Sequence, residues 1–198
     1  LLLQIWTLLA GVDFWISAVG QMTLFKKPLP FFRMEFQKIC KALPEIEACF
    51  QSGLKAVEGG QRKQIVAEDT RLIQGSVHLD NCSKIPNPAQ FPHRWDFLVA
   101  YNDRVYAIEI HPANSGANID EVMGKARWLI QWLNQAPSSK TEKEAKEKLR
   151  DKMRTTKLQW VASGKVGVDL LPNSTKAKQL TQLKIAFPPK EKLLIDKI

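Results

Sequence analysis

A chain of 198 residues, 44% of them hydrophobic and 25% charged, is long enough to bury one real core and too apolar to remain wholly disordered. Its net charge of +9 favours polyanionic partners, either nucleic acid or an acidic membrane surface, although a generic basic surface gives the same balance. With no Walker A loop, GxGxxG, HExxH, GxSxG or paired CxxC, the NTPase, Rossmann oxidoreductase, zincin and α/β-hydrolase classes lack support.

Leu1 to Gly20 is almost wholly apolar and carries Trp6, Phe14 and Trp15. It approaches the length of a bilayer span, but Gln4 and Asp13 interrupt it, and an Asp near the middle of a span is costly. No Lys or Arg precedes it, unlike the start of a signal peptide. Residues 1–21 are therefore expected to be an extension or accessory segment, and residues 22–198 a single domain. The rival from another class is a membrane-associated protein, anchored by Leu1–Gly20 with Lys26, Lys27 and Arg33 as its basic flank.

Pro28 and Pro30 precede the first clear element, where Phe32, Phe36, Ile39, Cys40 and Leu43 recur at helical spacing. Pro44 breaks or restarts the helix. Ile46, Cys49, Phe50, Gly53, Leu54 and Val57 continue the apolar stripe until Gly59-Gly60. Cys40, Cys49 and Cys82 lack the spacing of a disulfide framework or a zinc site. Buried thiols and a reducing, cytoplasmic setting are the expectation. Arg71 to Asp80 reads as a strand, and Asn81 to His93 as a loop rich in Pro, Asn and Ser.

Arg94–Tyr101 and Arg104–Ile110 are aromatic and β-branched, as strands are. Only Asn102-Asp103 separates them, which predicts a two-residue hairpin turn. A turn from His111 to Ala117 leads to a helix starting at Asn118, with Glu121 three residues on as in a capping box. Ile119, Val122, Met123, Ala126, Leu129, Ile130 and Leu133 form its apolar face. Residues 138–157 are dense in Lys and Arg with a narrow stripe of Ala145, Leu149 and Met153, a surface helix. Leu158 to Val166 and Lys184 to Phe187 complete the strands. This order of helix, strand, hairpin, helix and strand predicts an α/β architecture, a mixed central β-sheet with flanking helices.

The hairpin carries the chemistry. Its turn sets Tyr101 against Arg104, Ala100 against Val105, Leu98 against Ala107, and Asp96 against Glu109. Directly opposed side chains have Cβ atoms roughly 4.5–5.5 Å apart. The other face holds Trp95, Phe97, Val99, Tyr106, Ile108 and Ile110, so the hairpin is internal to the sheet. Two buried carboxylates at that distance repel, and burial disfavours both charges. They persist by sharing a proton or clamping a cation; otherwise each pairs with a Lys or Arg. Mg²⁺, or Mn²⁺ in its place, suits such oxygen ligands. His111, two residues after Glu109, points to the same face. It orients a water or touches a phosphate, or is simply a hydrogen-bonded structural residue. Lys125 leans toward the acids, or is a solvated lysine paired with Glu121. Asp80 supplies a third carboxylate, or is a turn residue.

Trp95-Asp96, followed by Glu109-Ile110-His111 on the next strand and then a helix, resembles the PD-(D/E)xK nuclease superfamily over residues 32–166. That resemblance implies a restriction-endonuclease-like αβββαβ core and a metal held by Asp96, Glu109 and the carbonyl of Ile110. The motif lysine falls on His111, with Lys125 as a lysine moved to the following helix, and Glu35 or Glu47 as contributors from the first helix. Trp95 stands where the family has Pro. The activity implied is metal-dependent phosphodiester hydrolysis of nucleic acid, DNA in the first place. The alternative is an inactive nucleic-acid-binding or assembly module of the same fold.

Overall fold

The structure, a computed structural model, describes residues 35–85, 93–167 and 173–197. The expectations for residues 1–21, for Phe32 and for the basic flank of Leu1–Gly20 lie outside those residues. Among the described residues, no helix is long and apolar enough to cross a membrane.

Helix α1 (Glu35–Lys41) turns Phe36, Ile39 and Cys40 inward, as the spacing predicts. The stripe from Ile46 to Val57 does not form a helix. After a 3-10 turn at Glu47–Cys49 comes a short strand, β1 (Phe50–Ser52). Gly53 then reverses the chain at φ +61°, a left-handed conformation open mainly to glycine. One turn of helix, α2 (Gly59–Arg62), and strand β2 (Ile65–Val66) follow. Strand β3 (Ile73–His78) occupies the expected place. Its Gly75 lies under the Phe50 ring, and an added Cβ would come within 2.9 Å of the Gln51 carbonyl oxygen; glycine lets β1 and β3 close at the bulge in this strand.

The hairpin is β4 (Phe97–Tyr101) and β5 (Arg104–His111). Helix α3 (Gly116–Asn134) starts earlier than predicted, because Ser115 rather than Asn118 is the N-cap and Asn118 closes the capping box. Asn118 N–H donates to Ser115 Oγ at 3.3 Å, and Ser115 N–H donates to Asn118 Oδ1 at 3.1 Å. Its predicted apolar face is buried except for Ile130, which is exposed. Helix α4 (Lys140–Met153), strand β6 (Leu158–Ala162), helix α5 (Thr175–Gln182) and strands β7 (Ile185–Lys190) and β8 (Leu193–Leu194) complete the chain.

Six strands form a mixed sheet in the order β1-β3-β4-β5-β6-β7. The first four are antiparallel neighbours; β6 and β7 join in parallel, reached through helices as parallel crossovers require. The α/β class with a mixed sheet and flanking helices is therefore the observed one. Residues of α1, α3, α4 and α5 share one buried cluster with Val77, Leu98, Ala100, Val105 and Ala107. On the other face Phe97, Val99, Tyr106 and Ile108 pack with Val57, Ile65, Leu193 and Ile195. There β2 and β8 form a second, two-stranded parallel sheet, with Ile65 beside Leu193.

Two charges on α4 are buried, contrary to the surface-helix expectation. Lys146 lies 3.2 Å from Glu142 and 3.7 Å from Glu45. Glu142 also accepts hydrogen bonds from Ser138 N–H (2.8 Å) and Oγ (2.5 Å). The Ser138 hydroxyl and Lys146 hold its carboxyl below the ordinary glutamate value. A depressed folded-state pKa stabilises the protein above the unfolded value of about 4.3, and that contribution is lost as pH falls through the folded value. Ser138→Ala should therefore flatten the acid limb of a thermal-midpoint profile taken from pH 6 to pH 3; a limb as steep as in the parent would refute this assignment.

The cysteine expectation holds only for Cys40, which is buried and free, and whose thiol burial pushes far up. Cys49 and Cys82 form a disulfide joining the turn before β1 to the loop after β3. Spacing gave no sign of it because the partners are brought together by the pairing of β1 with β3. The cysteines thus supply no argument for a reducing compartment.

Candidate active site

Asn102 takes φ +54°, the left-handed conformation that Asn tolerates, and its N–H donates to Leu72 O at 2.9 Å. The turn fixes the predicted register: Tyr101 with Arg104, Ala100 with Val105, Leu98 with Ala107 and Phe97 with Ile108. One residue further the ladder changes character. Asp96 N–H donates to Glu109 Oε2 at 3.0 Å, and Ile110 N–H donates to Asp96 Oδ2 at 3.0 Å. Leu79 N–H donates to Asp96 O at 2.7 Å and holds the third strand in place. Each acid is thus anchored by a backbone amide of the opposite strand. Pairing ends here, and Trp95, expected on the other face, is buried with the helix-side cluster.

Lys125 closes the site from α3. Its Nζ lies 2.5 Å from Glu109 Oε1 and 3.2 Å from Asp96 Oδ1. It is not the solvated lysine of one expectation, being only 8% exposed. Its neighbours on the helix face are Val122, Ala126 and Leu129, all buried, so its stem passes through an apolar layer before the ammonium meets the acids. Glu121, the alternative partner, goes to His111 instead, with Oε2 3.1 Å from Nε2. His111 Nδ1 stands 3.8 Å from Glu109 Oε1. The structure therefore brings Asp96, Glu109, Lys125 and His111 together.

The remaining residues fall elsewhere or enter differently. Asp80 is exposed in the turn after β3, where its backbone carbonyl accepts from Arg94 at 3.3 Å. Glu35 pairs with Lys152 at 2.8 Å, and Glu47 is exposed. Ile110 touches the pair through its amide. Arg94, which the sequence did not single out, clamps the loop beside Asp96. Its guanidinium donates to the carbonyls of Cys82 (2.8 Å) and Ile85 (2.6 Å), with longer contacts to Leu79 and Asp80. Its position next to Trp95-Asp96 was the one available signal, but its partners are backbone carbonyls that no residue pattern reveals.

Electrostatics follow from depth. Burial, then the neighbouring Asp96 charge, pushes the Glu109 carboxyl well above the ordinary value, with Lys125 acting against both. Burial disfavours the Lys125 charge, but Glu109 and Asp96 more than offset it and hold its pKa above the usual lysine value. Burial lowers the His111 pKa, with the Glu121 carboxylate acting against it. Asp96 and His111 retain 12% and 15% of their side-chain exposure while Glu109 has none; the site opens to solvent over the aspartate.

Two carboxylates anchored by backbone amides, each turning one oxygen to a common point, suit a hard divalent cation. Mg²⁺ is commonly held by one or two carboxylates, with water and substrate completing its shell. Among the described residues no group of three or more His, Cys, Asp or Glu is gathered to hold a metal. The acidic ligands would therefore be Asp96 and Glu109 alone. Compared with known proteins, the chain matches no family model, no curated protein and no solved structure.

Proposed function

We propose that this centre carries out metal-assisted hydrolysis of phosphodiester bonds in nucleic acid. The observation that carries the reading is the convergence of Asp96, Glu109 and Lys125 on one point, from the residue leading into β4, from β5 and from the helix after them. This fits the PD-(D/E)xK pattern with the lysine moved to the helix. A bound Mg²⁺ or Mn²⁺ would lower the pKa of a water and stabilise charge on the phosphoryl group. Asp96 and Glu109 would hold it. Lys125 keeps a fixed positive charge beside the developing negative charge, where the apolar surroundings strengthen its effect. His111, at the opening with Nε2 held by Glu121, offers its other ring nitrogen to an approaching water. The net charge of +9 supports non-specific holding of the backbone.

Incubation with supercoiled plasmid and with single-stranded oligonucleotides tests this directly. Nicking or cleavage is expected with Mg²⁺ or Mn²⁺, and none with EDTA or with Asp96→Asn. No cleavage of any substrate by the parent protein would overturn the proposal. One observation favours an inactive binding module instead: all four oxygens of the acid pair already have partners within the chain. Its signature is DNA affinity that drops steeply with salt, by about 0.9 log per log of salt for each phosphate contacted, equal in the parent and in Asp96→Asn.

A further inference from the structure

The oxygens of the acid pair divide into two sets. Asp96 Oδ2 and Glu109 Oε2 are bound by backbone amides, which no cation displaces without opening the hairpin. Asp96 Oδ1 and Glu109 Oε1 are the two left to converge, and both face Lys125 Nζ. The space a divalent cation would take is therefore the space the ammonium holds. We propose that Lys125 is the resident cation of this site, and that a divalent cation binds by displacing its Nζ from Asp96 Oδ1. The inference rests on the metal-assisted reading above.

The geometry sets the order of events. The contact to Asp96 is the longer, 3.2 Å against 2.5 Å to Glu109, and Asp96 is also the acid with residual exposure. A cation arriving from solvent meets Asp96 first and needs only the weaker of the two lysine contacts to break. Lys125 reaches the acids from α3, and as its ammonium gives way Glu109 Oε1 becomes free to share the cation with Asp96 Oδ1. The same arrangement helps two facing carboxylates to stay buried: the ammonium balances one of their two charges from within, and a backbone amide anchors each acid. A resident ammonium and an incoming dication compete for the same oxygens, so each weakens the other's hold reciprocally.

Calorimetric titration of Mn²⁺ into the parent protein, Lys125→Met and Lys125→Gln tests this independently of cleavage. Lys125→Gln keeps a donor to the carboxylates without the charge, and guards against Lys125→Met failing to fold. Both variants are expected to bind Mn²⁺ more tightly than the parent by about tenfold or more, within the ~5–150-fold range of ordinary couplings between sites. Their thermal midpoints should rise further on Mn²⁺ addition than that of the parent. Equal or weaker binding by the folded variants, with the parent binding normally, would sink the displacement inference and leave the metal reading standing. Absence of binding heat in all three proteins would overturn the metal reading, and this inference with it.

Discussion

Lys125→Met is expected to lower the unfolding free energy by about 3–5 kcal/mol at neutral pH, the usual cost of removing one partner of a buried ion pair. The loss comes less from the missing attraction than from what remains. Asp96 and Glu109 face each other at 9% and 0% exposure, and without the ammonium only one backbone amide to each acid is left against their desolvation and mutual repulsion. The deficit has a predictable sign with pH. Burial already raises the Glu109 carboxyl, and the variant raises it further. A folded-state pKa above the unfolded one of about 4.3 destabilises progressively as pH rises past that unfolded value. The gap between variant and parent should therefore be widest near pH 7 and narrow toward pH 4. Urea denaturation at several pH values measures it; a pH-independent gap below about 1 kcal/mol would mean that the triad is not a buried electrostatic unit.

Glu109→Gln should show the complementary pattern, with the fold retained and chemistry lost. Glutamine fills the same volume and removes a charge that burial disfavours. Its single amide oxygen replaces only one of the two carboxylate oxygens, so either Asp96 N–H loses its acceptor, at about 1–3 kcal/mol, or Lys125 is left with Asp96 alone. Cleavage in Mg²⁺ should nevertheless fall by more than about 100-fold, beyond the ~10–100-fold typical when a group merely supporting a ligand is changed. Thermal melting together with a single-turnover cleavage assay separates the two effects. Cleavage within a few-fold of the parent would remove Glu109 from the chemistry.

The hairpin was readable because its logic is local. Asn102-Asp103 sets the register, and a side-chain period of two then carries the opposition from Tyr101–Arg104 out to Asp96–Glu109 without further information. Lys125 was harder, although its spacing held a clue. It lies three residues after Val122 and four before Leu129, inside the apolar stripe, and only the expectation that lysine is solvated argued against burial. Lys146 escaped notice for the same reason, beside Ala145 and three residues before Leu149. The stripe from Ile46 to Val57 misled because apolar spacing over so short a stretch cannot distinguish a helix from a turn and an edge strand; Gly53 and the ladder with β3 decide it. The Cys49–Cys82 link and the Arg94 clamp depend on where distant loops meet, which no local pattern encodes.

The two-stranded pairing of Ile65 with Leu193 has a bearing on how the molecule is made. Phe97, Val99 and Ile108 are shielded partly by Leu193 and Ile195, which leave the ribosome long after the hairpin itself. Until they emerge, the nascent polypeptide carries an oily plane open to water, the kind of surface chaperones recognise. Packing of the helical side around Asp96, Glu109 and Lys125 can begin before this step, but sealing of the opposite side must wait until β8 is translated.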